Sequence, residues 1–442
     1  MAASIRYLLL ATVALVVLGL LLMATRQPVV HQLSSLEANG YGARNFDAGL
    51  AERQIELERT VAHRERQDDS WLAREHEAMA RFSHAKLDGS FSGMDRAYRQ
   101  LTQAMALAPD MSGPQRSRAI LALAMHRLDE AEIALDTIEA RPVRLRATER
   151  AEVMAMRGDI AFYRGDYADA KTLYDSAIYL DPHPGQYVRL ANWHQRMGDL
   201  DASLAAFDRA ASVSDRVSPE LASTLLLYAG GAHLKRGQWD EARDYFERAD
   251  EAWPGYWLTE AHLAQLDAAR GDLATAERRY RAILADHQEP SVMAAFATVL
   301  EAQGKRAEAE RLTRRAETMF AEQAEAYPEA FADHVLDGAI GAGDMDAALA
   351  AARANHAARP YGDAKVGMGR ALIAAGRPED ARKWLQQVHD SGWRSTEQYV
   401  AMADACEAMN DRDCVREARR RAEDFDRMAF ADGGEFLAFG NH

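Results

Sequence analysis

The chain has 442 residues, a formal net charge of -15 at pH 7, and only 12 prolines and 2 cysteines. That length exceeds what one compact core organises, so it implies about three domains or a repeating architecture. The acidity argues against a nucleic-acid partner, which calls for a basic stripe, and the lack of Val/Ile/Thr-rich alternating runs points to an almost all-helical chain.

Residues 1–6 are a short flank. Tyr7 to Thr25 (YLLLATVALVVLGLLLMAT) carry no charge over 19 positions, enough for a helix rising about 1.5 Å per residue to cross a bilayer core. The run has no clean A-x-A cleavage site at its end, so residues 7–25 are expected to be an uncleaved, single-pass signal anchor in the inner (cytoplasmic) membrane. Arg6 lies on one side and Arg26 and Arg44 on the other, which leaves orientation undecided by charge. Residues 26–46, with Pro28, Gly40 and Gly42, read as a linker. Residues 47–70 are charged and helical. Their apolar stripe of Leu50, Leu57 and Val61 is too short for a sustained coiled coil and suits an N-terminal helix that caps its neighbours.

The organising unit is MAMRGDIAFYRGDYADAKTLYDSAIYLDP, Met154 to Pro182. Ala170, Tyr174 and Ala177 are spaced by 4 and then 3, which stacks them on one helix face. Gly165-Asp166 breaks the chain before that helix and Pro182 closes it, so the unit is helix, tight turn, helix. Small residues at Gly158 and Ala170 let the two helices approach, and Tyr174 fills the gap beyond. This resembles a tetratricopeptide repeat, whose period is about 34 residues. Equivalents of Gly165 are found at Ser92, His126, Gly198, Gly237, Gly271, Gly304, Gly343, Gly376 and Asn410. Successive intervals are 34, 39, 33, 39, 34, 33, 39, 33 and 34 residues. After Gly304 the second helix is long, running through Glu322 toward Tyr327 before Pro328 stops it. The last unit, with Val415 and Arg419 in apolar slots, suits a terminal cap. The tail, residues 425–442, carries Phe430, Phe436, Leu437 and Phe439 and is expected to fold back, because bare aromatics are costly in water.

The resemblance covers residues 71–424, about ten repeats. It implies an all-α, helical-hairpin solenoid, a right-handed superhelix behind the single N-terminal transmembrane helix. It also implies a concave groove, lined by the first helices, that takes a protein or peptide. Groove-facing slots under this resemblance are Asp159, Phe162, Tyr163, Asn192, Gln195 and Arg196, then Gly231, Leu234, Lys235, Gln265, Thr298, Asp337 and Arg370. Asn192 suits a clamp for a C-terminal carboxylate, but Gly231 breaks the pattern, and the middle of the groove reads as mixed and uncharged. Trp253, Tyr256 and Trp257 surround Pro254-Gly255, either as an exposed corner for a partner or as packing between repeats.

Cys406 and Cys414 straddle the turn at Asn410, on helices that pack within disulfide reach. The spacing looks like that of the Sel1-like relatives of the family. A bridge requires an oxidising compartment and so a periplasmic solenoid, whereas two reduced thiols fit the cytosol. The 14 histidines form no H-E-x-x-H run, and no phosphate-binding loop or nucleophile elbow is present. No catalytic, metal or cofactor residue is therefore expected, and the chain does not read as an enzyme. The function expected is a membrane-anchored scaffold for assembling or stabilising a bacterial-type cell-envelope complex. The alternatives are an assembly chaperone of the cytochrome c maturation or lipopolysaccharide-assembly type and, remotely, an enzyme without a recognisable motif.

Overall fold

A computed structural model describes Leu33 and residues 36–66, 70–109 and 113–438. The expected anchor, residues 7–25, lies outside the described residues. Among the described residues no helix is long and apolar enough to cross a membrane.

Twenty-one α-helices follow one another, with no strand among the described residues. α1 (Phe46–Arg66) precedes ten hairpins. These are α2/α3 (Trp71–Asp88, Phe91–Leu107), α4/α5 (Gln115–Ala124, Leu128–Glu139), α6/α7 (Ala147–Arg164, Tyr167–Leu180), α8/α9 (Pro184–Arg196, Leu200–Ser212) and α10/α11 (Pro219–Leu234, Trp239–Ala252). They continue with α12/α13 (Trp257–Ala269, Leu273–Asp286), α14/α15 (Pro290–Ala302, Arg306–Ala326), α16/α17 (Pro328–Ala342, Met345–Ala358), α18/α19 (Gly362–Ala374, Pro378–Asp390) and α20/α21 (Thr396–Ala408, Arg412–Phe425). A 3-10 turn, Gly434–Ala438, ends the described chain.

The local reasons are visible in the sequence. Prolines 184, 219, 290, 328 and 378 open helices, where a missing N–H costs nothing. Each hairpin turns through one residue in the left-handed region, which lets an amide reach back to the last carbonyls of the first helix. Seven of these residues are the glycines at 165, 198, 237, 271, 304, 343 and 376, and two more are His126 (φ 56°) and Asn410 (φ 59°). The first turn is a correction: Gly89 (φ 75°), not Ser92, makes it, and Ser92 lies inside α3. Within hairpins the small-against-large rule holds. A Cβ at Gly158 would stand 2.6 Å from the Tyr174 ring, and one at Gly230 would stand 2.5 Å from the Phe246 ring.

The coil closes on itself. The Tyr167 hydroxyl after the third turn accepts from the Gly362 amide of the ninth hairpin at 2.8 Å. The Arg196 carbonyl of the fourth hairpin accepts from the Arg394 amide at the entry to the tenth, also at 2.8 Å. Hairpin 3 thus meets hairpin 9 and hairpin 4 meets hairpin 10, so one superhelical turn takes about six hairpins. Residues 36–45 of the expected linker are outside any helix, but the segment is held down. Asn39 and Gly40 amides donate to the Val217 carbonyl at 3.0 and 2.8 Å, and the Leu33 amide donates to Asp208 at 2.8 Å. The tail folds inward, its 3-10 turn lying on α12 and α14.

Candidate functional site

The first helices form the inner layer, each touching the first helix of the next hairpin along much of the chain: α2 with α4, α4 with α6, α6 with α8, α12 with α14, α16 with α18, α18 with α20. The predicted groove residues therefore share one face, but closure of the coil divides their roles.

In hairpins 3 and 4 most are engaged by the chain itself. Asp159 accepts from Arg189 Nε at 2.9 and 3.0 Å and from the Tyr174 hydroxyl at 3.0 Å. The Phe162 ring lies 5.7 Å from Trp393 and 5.6 Å from Tyr167. Tyr163 meets His126 edge-on at 4.9 Å and Tyr361 at 5.4 Å. Arg196 pairs with Asp363 at 3.3 Å and lies over the Trp393 ring at 5.0 Å. Asn192 alone among these is exposed. Burial follows the same logic in hairpin 6, where Gln265 is fully buried against His262 at 2.7 Å.

The aromatic corner is occupied from within, as the packing alternative has it. Trp253 is 1% exposed, and its indole N–H donates to the Ala43 carbonyl at 3.1 Å. Phe46 stacks on Tyr256 at 5.5 Å and meets Trp253 edge-on at 5.7 Å. The Trp257 indole N–H donates to the Leu87 carbonyl at 3.0 Å. The corner is where the segment around Ala43 and Phe46 docks at the junction of the fifth and sixth hairpins.

Hairpins 8 and 9 keep an open inner face. Asp337 and Arg370 pair at 2.8 Å with side chains 55% and 44% exposed, and a Cβ at Gly338 or Gly341 would meet nothing within 4 Å. Midway, against α10, Gln195, Arg196 and Lys235 line a cavity of about 300 Å³ closed on one side by the tail. The expectation of an uncharged middle is thus corrected, since Arg236, Arg394 and Glu397 share its wall.

Sequence reasoning missed the residues that join one superhelical turn to the next: Phe46, Tyr327, Tyr361 and Trp393. Trp393 is fully buried beneath a glycine, where a Cβ at Gly362 would stand 2.1 Å from its ring. The available signal was an aromatic placed in a loop between repeats, where no neighbouring repeat accounts for it. The sulfurs of Cys406 and Cys414 are bonded across the last turn, with Cα atoms 5.6 Å apart.

Profiles for the tetratricopeptide repeat match residues 151–184, 187–253 and 339–392. No curated protein sequence matches the chain. Among solved structures it is similar to the human IFIT1 dimer with m7Gppp-AAAA, at 16% identity over 85% of this chain and 94% of that one, with a TM-score of 0.42. The APC/C hetero-tetramer Cut9-Hcn1 gives 14% identity over 89% and 83%, with a TM-score of 0.41. MamA gives 18% identity over 38% and 95%, with a TM-score of 0.29. The repeat profiles fall on hairpins 3 to 5, 8 and 9, so these hairpins are tetratricopeptide repeats, set in a chain that is all-helical throughout its described residues.

Proposed function

We propose that the chain is a membrane-tethered scaffold that holds another protein outside the cytoplasm, for assembly or stabilisation of a bacterial-type cell-envelope complex. The apolar run of residues 7–25 supplies the tether. The pairing of Cys406 with Cys414 supports an oxidising compartment. The observation that carries the reading is the division of the inner face. Hairpins 3 and 4 are filled by the chain's own aromatic residues, whereas Asp337 and Arg370 face solvent beside two glycines with open space above them. An exposed ion pair contributes little to stability, so its two charges are available to a partner at small cost.

A photoreactive residue in place of Asp337 or Arg370, in the full chain in native membranes, is expected to crosslink a second protein. The same residue in place of Phe162 is expected to crosslink only within the chain. Absence of any intermolecular crosslink from the inner face, with the chain recovered in the soluble fraction, would overturn the reading. Location is tested separately. In intact spheroplasts an impermeant thiol reagent should label Cys406 and Cys414 only after reduction.

A further inference from the structure

The cavity against α10 has a volume of about 300 Å³. An engineered apolar cavity of about 150 Å³ holds benzene, so this one has room for a body of roughly twice that size. Its walls are chiefly apolar, from Leu200, Leu234, Trp239, Phe425, Met428 and Leu437. Most charged groups on the wall have partners in the chain. Arg196 pairs with Asp363. Arg236 donates to the Gly198 carbonyl at 3.1 Å and lies over the Phe425 ring at 4.1 Å. Arg394 donates to the carbonyls of His389 and Trp393, each at 2.7 Å. Asp426 accepts from the Thr396 hydroxyl at 2.9 Å and the Met428 amide at 2.8 Å. Glu397 and Glu435 are exposed and keep their hydration.

Lys235 differs. Among the described residues its ammonium has no hydrogen bond and no ion-pair partner, although it lines the cavity. Burial first, and the Arg196 charge second, hold its pKa down to about 7, against the opposing pull of Asp363 and Glu397. An amine on a cavity wall without an acceptor in the chain can take one from a ligand, and ligand cavities combine apolar walls with a few such placed polar groups.

We propose that this cavity binds a small amphipathic carboxylate, an acid with an apolar or aromatic body, whose carboxylate takes Lys235 as its counter-ion. The body replaces water along Leu234, Trp239 and Leu437, and the carboxylate supplies the acceptor that Lys235 lacks. The site is separate from the open face of hairpins 8 and 9, so it stands or falls independently of the scaffold reading.

The test uses the full chain in detergent, with detergent-only blanks, and two probes that differ only at the head: 3-phenylpropionate and the neutral 3-phenylpropionamide. Calorimetry or ligand-observed NMR is expected to show the carboxylate binding about tenfold more tightly than the amide, as a charge-assisted hydrogen bond implies. Lys235→Met is expected to abolish that preference while leaving amide binding in place, which also reports that the cavity still forms. Met428→Trp is expected to fill the cavity and remove both. If neither probe binds, if Lys235→Met keeps the tenfold preference, or if Met428→Trp leaves binding unchanged, the proposal is wrong.

Discussion

Replacing Phe46 with alanine tests whether the segment of residues 36–66 is part of the solenoid or merely lies near it. Phe46 is 2% exposed and touches three rings of later hairpins: Trp253, Tyr256 and His287, the last at 5.3 Å. Its amide also donates to the Pro254 carbonyl at 3.0 Å. Truncating a buried phenylalanine costs about 3–5 kcal/mol, the lost transfer energy plus the cavity left behind. The backbone bond and the Arg53–Glu220 pair at 2.6 Å remain, so the segment opens more often without the solenoid unfolding. At about 1.4 kcal/mol per decade, the open population rises by about two to three and a half orders of magnitude. Hydrogen exchange resolved by mass spectrometry reads this directly. Exchange over residues 36–66 and around Trp257 should accelerate by that factor, while α16 to α19 keep their protection, because solenoid contacts are local. Unchanged exchange over 36–66 would refute the docking, and uniform loss along the chain would refute its independence from the hairpins.

Three further perturbations address the closure, the turns and pH. Gly362→Ala drives a methyl into the Trp393 ring at the contact between hairpins 3 and 9, and should cost about 1–3 kcal/mol as overpacking, read as faster exchange at Gly165 to Tyr167 and at residue 362. Asn410 is exposed at φ 59°, so Asn410→Val should destabilise the last hairpin by about 1–2 kcal/mol while Asn410→Gly does not, compared by chemical denaturation. Burial raises the Glu289 carboxyl from its ordinary 4.5 to about 7, partly opposed by hydrogen bonds from Ser291. A folded pKa above the unfolded one gives stability that is present below pH 4.5 and lost as pH rises through 7. Glu289→Gln should flatten that loss when thermal stability is followed across the same window.

How much was legible depends on which forces act locally. The period of small and large residues fixes each hairpin, because Gly158 against Tyr174 and Gly230 against Phe246 are contacts inside one unit. The turns were legible even without glycine, since His126 and Asn410 hold the left-handed conformation where the period requires it. The first turn was misplaced because the 34-residue interval counted back from His126 lands on Ser92, whereas the turn at Gly89 lies 37 residues before His126. Only Gly89 carries the positive φ, while Gly93 is a helix residue where a Cβ would meet Ala85 at 2.7 Å. Contacts between superhelical turns were hidden for a different reason. They pair residues such as Tyr167 and Gly362, 195 positions apart, and no repeat period records which hairpin lies above which.

That hidden closure is what decides the use of the inner face. In an open coil, Asp159, Phe162, Tyr163 and Arg196 would line one continuous groove with Asp337 and Arg370. Once hairpins 9 and 10 lie against hairpins 3 and 4, Trp393 fills the space beside Phe162 and Asp363 meets Arg196, so a partner would have to displace buried aromatic surface to reach them. Displacing one fully buried aromatic costs about 1.5–3 kcal/mol before any new contact forms. Asp337 and Arg370 carry no such cost, and Lys235 sits in a space with room for a small body but no acceptor in the chain. The same slots in successive repeats therefore have different chemistry, set by which hairpin comes round to cover them.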